Sequence, residues 1–267
     1  MIRRLSEFFS LLDNNKPINR QEDLFGFSER PVSMPSSSPF QYEHTDIDLI
    51  TAFYSGDLKP STLPEPACTL LELSVNAFEI LIHALMSELA IEKETAAFGR
   101  KVIAASHTAR NPEEKRIAAE RALYDRGDAE TLTALNVSAK VQREIHRMTE
   151  LLRFLPDTNG VFIAKCSPDH LVLPALGVYF TARFGETAWA VIDEKRSLCL
   201  SGRCAEQATI TVQQDLTENY IINQDSDEWE ALWKHYHKTI NNESRDNPNL
   251  QRQLMPRRYW KYLPEKT

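Results

Sequence analysis

The sequence predicts an α+β protein with a helical N-terminal half, a small central sheet and a helical, basic C-terminal segment. Between residues 74 and 154, apolar residues recur every three to four positions, which indicates amphipathic helices. From about residue 160, short apolar runs bounded by turn residues are typical of strands. Helical spacing returns between Trp229 and Ile240, in a part of the chain that carries positive charge.

The first 44 residues are expected to lie outside the main domain. Residues 1–13 can form a short amphipathic helix, and residues 28–39 are rich in proline and serine, which is typical of a linker. We therefore predict a variable extension at 1–44 and one α+β domain at 45–267, with a helical part at 74–154 and an α/β part at 155–267.

Four elements are expected at the start of the domain. Residues 69–73 suit a short strand, and Ser74 can cap the helix that follows, because a serine side chain accepts a hydrogen bond from the first turn of a helix. A second helix is expected at 93–105. A third begins at Pro112, since proline is tolerated in the first turn.

The helix predicted at 137–154 has two distinct faces. Its apolar face holds Val141, Ile145, Met148 and Leu152. Its polar face holds Arg143, His146, Arg147, Glu150 and Arg153. The cations of this face could bind phosphate, although an ordinary solvated face explains them about as well.

Strands, a helix and a final amphipathic helix are expected in the α/β part. The strands are predicted at 161–166, 189–193, around Leu198 and at 209–213. A helix at 171–184 is expected to bend or restart at Pro174. In the last helix, one stripe consists of Trp229, Trp233, Tyr236, His237 and Ile240, and we expect Trp229, Trp233 and Ile240 to anchor the segment to the core.

Composition and charge indicate a soluble cytoplasmic protein with a polyanionic partner. No run approaches the roughly 20 apolar residues of a membrane span, so no membrane association is expected. The mixed charges of residues 1–13 do not fit an export signal. The net charge is −7, but residues 234–267 carry +5 and the preceding residues −12, which suggests a basic surface on an acidic body.

Several enzyme classes are excluded by missing motifs. No two of the eight glycines are closer than eight positions, so neither a dinucleotide fingerprint nor a P-loop is present. The chain also lacks the zinc protease, zinc deaminase and nucleophile-elbow patterns. The cysteines could offer thiolates to a metal, but their spacing is not that of a recognised site, so we expect buried thiols, no metal and no cofactor. They are Cys68, Cys166, Cys199 and Cys204.

The stretch Ser167-Pro168-Asp169-His170 lies between a predicted strand and a predicted helix. α/β enzymes often place catalytic side chains there, and Asp169 could orient His170 as a general base, with His146 as a further candidate. The favoured interpretation is a helix start, with Ser167 as the N-cap, proline at the first position and aspartate at the second.

The C-terminal stretch 251–263 places cations beside aromatic rings. Phosphate pairing together with base stacking requires these two residue types close together, which makes the stretch a candidate nucleic-acid surface. Its candidate residues are Arg252, Arg257, Arg258, Trp260 and Lys261. Alternatively, Tyr259 and Trp260 pack onto the core as a clamp while the arginines stay in water or pair with the acidic body.

Several stretches resemble a known bacterial family from about Ser74 to the C-terminus. They include Asn76-Ala-Phe-Glu79, Ala84-Leu-Met-Ser-Glu88, Glu144-Ile-His-Arg-Met148, Ser167-Pro-Asp-His170, Trp233-Lys-His-Tyr-His237 and Met255-Pro-Arg-Arg-Tyr-Trp-Lys-Tyr262. The pattern is similar to that of a family described as DNA metabolism or DNA repair proteins, whose C-terminal domain has no known function. The resemblance implies DNA as a partner, together with a radical-SAM DNA modification or repair protein encoded by a neighbouring gene. It implies no catalytic residue.

Three hypotheses about function follow. The leading one is a DNA metabolism or repair accessory protein that binds single-stranded or damaged DNA and works with a radical-SAM partner. The second is a nucleic-acid-directed hydrolase, a nuclease or glycosylase-like enzyme, in which Asp169 and His170 act near His146 or His237. The third is a protein-interaction module without DNA binding. No residue establishes a reaction, so the sequence leaves enzymatic activity open.

Overall fold

The computed structural model describes Leu12 and residues 44–203, 208–212, 226–240 and 247–266. The helix predicted at 1–13, apart from Leu12, and the linker predicted at 28–39 lie outside the described residues. Within the described residues, no helix is long and apolar enough to cross a membrane.

The α+β prediction is confirmed, because helices precede and follow a sheet along the chain. The helices before the sheet are α1 (His44–Ser55), α2 (Glu65–Leu73), α3 (Val75–Met86), α4 (Glu92–Ser106), α5 (Pro112–Leu123) and α6 (Ala129–Leu151). The strands are β1 (Leu155–Pro156), β2 (Phe162–Cys166), β3 (Trp189–Asp193), β4 (Leu198–Gly202) and β5 (Thr209–Val212), with α7 (Leu173–Phe184) between β2 and β3. The chain then forms α8 (Ser226–Ile240), α9 (Pro248–Leu254) and 3₁₀ turns at Arg257–Tyr262 and Pro264–Lys266.

The five strands lie in the order of the sequence, and β2 and β3 are parallel while the other neighbours are antiparallel. Helix α7 makes the crossover that a parallel pair requires. The register pairs Cys166 with Asp193 at the carboxyl ends of β2 and β3. The turns that follow these two strands therefore lie at the same edge of the sheet.

The chain forms two units, each with its own buried residues. Of the described residues, the first contains Leu12, 44–46, 59–81 and 91–134, and its core includes Leu70, Phe78, Phe98 and Leu123. The second contains 47–58, 82–90 and the described residues from 135 onwards, and its core includes Ile50, Met148, Phe180 and Trp189. Apart from Cys68, the candidate site residues described below belong to the second unit.

Of two predictions made from local sequence in the helical half, one is confirmed and one is wrong. Ser74 caps α3 as predicted, since its Oγ accepts the N–H of Ala77 at 3.1 Å. The strand predicted at 69–73 is wrong, because these residues end α2 and Leu70 is buried on its inner face. A short apolar run does not distinguish a strand from a buried helix, which explains the error.

Helix α6 begins earlier than predicted, at Ala129, and ends at Leu151. Asp128 caps its start, since Oδ2 of Asp128 accepts the N–H of Thr131 at 2.9 Å. Val141 and Met148 are buried as expected, Ile145 is partly buried, and Leu152 lies beyond the end of the helix.

Two further predictions are corrected. Helix α7 begins at Leu173 with Pro174 in its first turn and no side-chain cap, so Ser167 does not start a helix. The core anchoring predicted for α8 is wrong for Trp233 and Ile240, whose side chains are 39% and 58% exposed. The side chain of Trp229 lies outside the described residues. Helical spacing identifies residues that share a face but not what that face contacts.

Candidate functional site

The turn after β2, residues 167–170, is held from one side by a buried carboxylate of α6. Glu144 accepts the N–H of Asp169 at 2.9 Å through Oε1 and the N–H of His170 at 2.7 Å through Oε2. Two backbone donors on one carboxylate fix the position of the turn at the carboxyl edge of the parallel strands.

The C-terminal segment reaches the same carboxylate. Tyr259 is buried, and its hydroxyl donates a hydrogen bond to Glu144. Arg258 lies 3.2 Å from Glu144 through Nη2 and 2.7 Å from the Asp169 carboxylate through Nη1. Part of the segment is therefore a clamp that joins α6 to the turn after β2.

The pKa shifts of Glu144 and Tyr259 agree with the hydrogen bond between them. Burial opposes ionisation of Glu144, but the hydrogen bonds from Tyr259 and from the backbone of Asp169 and His170 outweigh it and lower the pKa of the carboxyl group. Burial, together with the neighbouring Glu144 carboxylate, raises the pKa of Tyr259, so its hydroxyl stays a donor.

A buried arginine holds the other side of the turn. Arg196 Nη1 donates to the carbonyl of Pro168 at 3.1 Å, and Nη2 donates to the carbonyl of Asp169 at 2.7 Å. The same guanidinium binds Asp193 at 2.7 Å and also Glu88. Burial raises the pKa of Asp193, although Arg196 opposes this shift. Glu144 thus binds the N–H groups of the turn, and Arg196 binds its carbonyl groups.

Sequence patterns predicted no role for Glu144, Glu88, Asp193 or Arg196. A signal for Glu144 was present, because it lies three residues after Val141 and four before Met148, on the apolar face of α6. An acid on such a face needs a partner inside the protein. No comparable spacing signal identifies Arg196, whose partners come from three separate parts of the chain.

The three acid–base candidates are not all brought together. Asp169 and His170 are neighbours, and Asp169 is ion-paired with Arg258. His170 is half-buried, burial lowers its pKa, and its Nδ1 has no hydrogen-bond partner in the part of the chain described. His146 lies on the opposite side of α6 from Glu144, because two residues turn about 200° on a helix. Its Nε2 is 3.1 Å from Glu150.

The predicted nucleic-acid-binding cations fall into two groups. Arg258 and Lys261 pair with acids, the latter with Glu194 at 3.2 Å. Among the described residues, the second group has no carboxylate within ion-pair distance: Arg143, Arg147, Arg252 and Arg257.

The unpaired arginines lie on neighbouring elements. Arg147 Nη2 donates to the carbonyl of Gln253 at 3.0 Å, which places the end of α9 beside α6. Arg252 therefore lies next to a residue that contacts α6. The guanidinium of Arg257 lies 5.6 Å from the ring centre of Trp260, whose indole N–H donates to the Met255 carbonyl at 2.9 Å. We call this set, Arg143, Arg147, Arg252 and Arg257, the arginine surface.

Arg153 belongs to a different feature. It lines a groove with a volume of about 700 Å³, and its guanidinium lies 5.8 Å from the ring centre of Trp233. Helical spacing in the sequence predicted that Arg153 shares a helix face with Arg143, His146 and Arg147. It lies beyond the last residue of α6, so helical spacing no longer determines its direction.

The cysteines do not converge in the described part of the chain. Cys166 and Cys199 are buried in β2 and β4, Cys68 is partly exposed on α2, and Cys204 lies outside the described residues. Burial raises the pKa of the Cys166 thiol. No group of three or more metal-binding side chains is found among the residues that the structure describes.

Comparison with known proteins gives one match. The model of a family described as a domain of unknown function, DUF4130, matches residues 114–265, which is more than half of the chain. This range includes α6, the sheet, the turn after β2 and nearly all of the C-terminal segment. No curated protein and no solved structure matches the chain.

Proposed function

The chain belongs to the DUF4130 family, and from this starting point we propose that it is a DNA-metabolism or repair accessory protein that binds nucleic acid through its arginine surface. Guanidinium groups suit phosphate because they donate paired hydrogen bonds and keep their charge. The protein as a whole is acidic, so attraction to a polyanion needs such a local concentration of positive charge.

One observation carries this proposal. The contact between Arg147 and Gln253 places α9 beside α6, and the contacts of Arg258 with Glu144 and Asp169 fix the following turn on the same helix. Arg147 therefore contacts the segment that carries Arg252 and Arg257, and none of these three arginines has an acidic partner among the described residues. Under this proposal, the C-terminal segment has two roles that belong to different side chains: it clamps the fold, and it forms part of the nucleic-acid surface.

We further propose that a radical-SAM DNA modification or repair enzyme is the protein partner. Support comes from the sequence resemblance, and the chain has no Cys-x-x-x-Cys-x-x-Cys pattern of its own to hold the cluster of such an enzyme. Mixing the two purified proteins and measuring complex mass tests this directly. Two separate masses at micromolar concentration would contradict it.

The DNA proposal is tested by fluorescence anisotropy with labelled single-stranded and duplex oligonucleotides between 50 and 200 mM salt. If four arginines neutralise phosphates, log K for duplex DNA should fall against log salt with a slope of about −3 to −4. Absent binding, or binding that does not depend on salt, would contradict the proposal.

The hydrolase alternative has one observation in its favour. His170 keeps Nδ1 without a hydrogen-bond partner in the described structure and lies beside Asp169 at the carboxyl edge of two parallel strands. Under this alternative, the purified protein cleaves single-stranded DNA or releases a base, and His170→Ala abolishes the activity. Wild-type protein that leaves DNA intact would refute it.

A further inference from the structure

The groove that contains Arg153 is lined mainly by aromatic rings. It is formed by the end of α6, the following residues, β2, α7 and α8. Its main lining residues are Phe154, Phe162, Tyr179, Arg183, Phe184 and Trp233, and we call it the aromatic groove. Its volume of about 700 Å³ lies within the range of small-molecule sites.

The inner part of the aromatic groove is fixed by the core. The ring of Phe154 packs at 4.7 Å from that of Phe184 and 5.0 Å from that of Phe180. Phe184 in turn stacks on the buried Trp189 at 6.1 Å. The groove is therefore built on side chains whose positions are set by buried packing.

Two rings of the groove are partly exposed to solvent. Trp233 is 39% exposed and Tyr179 is 42% exposed. Both contribute flat aromatic surface beside a concave site, the arrangement on which nucleic-acid bases stack in single-strand-binding proteins.

Charge favours an anionic ligand at the same place. Among the described residues that line the aromatic groove, the cations are Arg153 and Arg183 and the acid is Glu150. Glu150 is already 3.1 Å from His146, and Arg183 has no carboxylate within ion-pair distance among the described residues. A ligand that fits must combine a flat apolar part with a negative group, as each unit of a nucleic-acid strand does.

We infer that the aromatic groove binds an unstacked base of a single strand, with the base against Trp233 and the adjacent phosphate on Arg183. This inference rests on the proposed function and adds to it a preference for single-stranded over duplex nucleic acid. The arginine surface attracts any phosphate backbone, whereas bases within a duplex are stacked and cannot enter the groove.

The experiment compares a labelled oligo(dT) strand with a duplex of equal length. Trp233→Leu and Arg183→Gln should each weaken binding of the single strand by about tenfold and change binding of the duplex less than twofold. Oligo(dT) should quench the intrinsic tryptophan fluorescence of the wild type, and Trp233→Leu should remove most of that quenching.

Matched controls separate local from general effects. Tyr124→Leu removes an exposed ring of the other unit that does not line the aromatic groove. Arg116→Gln removes an exposed arginine of α5, in the other unit. Both controls should bind as the wild type does, and thermal unfolding should confirm that all variants are folded.

The remaining outcomes distinguish the two proposals. If the wild type binds DNA in a salt-dependent way but the groove variants retain affinity and quenching, the inference fails and the proposed function stands. The inference also fails, and the proposed function stands, if the groove variants lose single-strand and duplex binding equally. The outcome is the same if they lose only association with a protein partner. If the wild type binds neither oligonucleotide, both proposals fail.

Discussion

The hydroxyl of Tyr259 donates a hydrogen bond to Glu144, a residue 115 positions earlier in the chain. The same carboxylate holds the backbone of Asp169 and His170, so one buried group joins α6, the turn after β2 and the C-terminal segment. Tyr259 acts in the fold, whereas Arg252 and Arg257 of the same segment have no acidic partner among the described residues.

Tyr259→Phe is expected to destabilise the protein by about 1–3 kcal/mol, because a buried carboxylate loses a donor. Urea unfolding at pH 7 measures the change. Tyr124→Phe is the control, since Tyr124 is 60% exposed and its substitution should alter the free energy of unfolding by less than about 0.5 kcal/mol. An unchanged unfolding midpoint for Tyr259→Phe would show that the contact contributes nothing.

Glu144→Gln tests the charge of the same contact through pH. The folded-state pKa of Glu144 is lowered from its ordinary value of 4.5, so its contribution is present above that value and is lost as pH falls through the folded-state pKa. The difference in unfolding free energy between wild type and Glu144→Gln should therefore shrink below pH 4.5. A difference that is constant from pH 7 to pH 3 would contradict an ionised Glu144.

Arg196→Met is expected to cost about 3–5 kcal/mol, because it leaves the Asp193 carboxylate buried without its cation. The double variant Arg196→Met/Asp193→Asn removes both charges and should recover part of this loss. Urea unfolding of the wild type, the single variants Arg196→Met and Asp193→Asn, and the double variant measures the coupling between the residues. If the double variant loses the sum of the two single changes, the pair is not coupled.

His83 is expected to make stability depend on mildly acidic pH. Its Nε2 lies 2.8 Å from the Tyr54 hydroxyl and its Nδ1 lies 2.7 Å from the Ser138 hydroxyl, and burial lowers its pKa from 6.5 to about 4. Between these values the unfolded chain takes up the proton, so stability falls as pH decreases from 6.5 to about 4.

The difference between the two pKa values of His83 corresponds to about 3 kcal/mol. Urea unfolding between pH 7 and pH 4 should show this loss in the wild type and a clearly smaller loss in His83→Gln. Parallel curves for the two proteins would mean that folding does not lower the pKa of His83.

Local patterns predicted much of the fold. The Ser74 cap, the first turn at Pro112 and the strand at Trp189–Asp193 all depend on residues close in sequence, and the structure has each of them. The run at 69–73, which contains three leucines, was ambiguous because a short apolar run fits either a strand or a buried helix.

The candidate site was less predictable because its contacts are non-local. The Ser-Pro-Asp pattern at Ser167 suits a helix start, but the donors of this turn are satisfied by Glu144, more than twenty residues earlier. The aromatic groove combines α7 and α8 with the end of α6, and no spacing in the sequence indicates that these elements meet. Exposure of Trp233 likewise depends on tertiary packing.

The most direct test of the nucleic-acid proposal compares two triple variants with the same change in net charge. Arg143→Gln/Arg252→Gln/Arg257→Gln removes three members of the arginine surface. Arg116→Gln/Arg121→Gln/Arg126→Gln removes three exposed arginines at or just after α5, in the other unit. Anisotropy against salt concentration with duplex DNA should show a weaker affinity and a salt slope reduced by about 3 only for the first variant. Equal losses for both variants, or wild-type binding by the first, would contradict the assignment of the arginine surface.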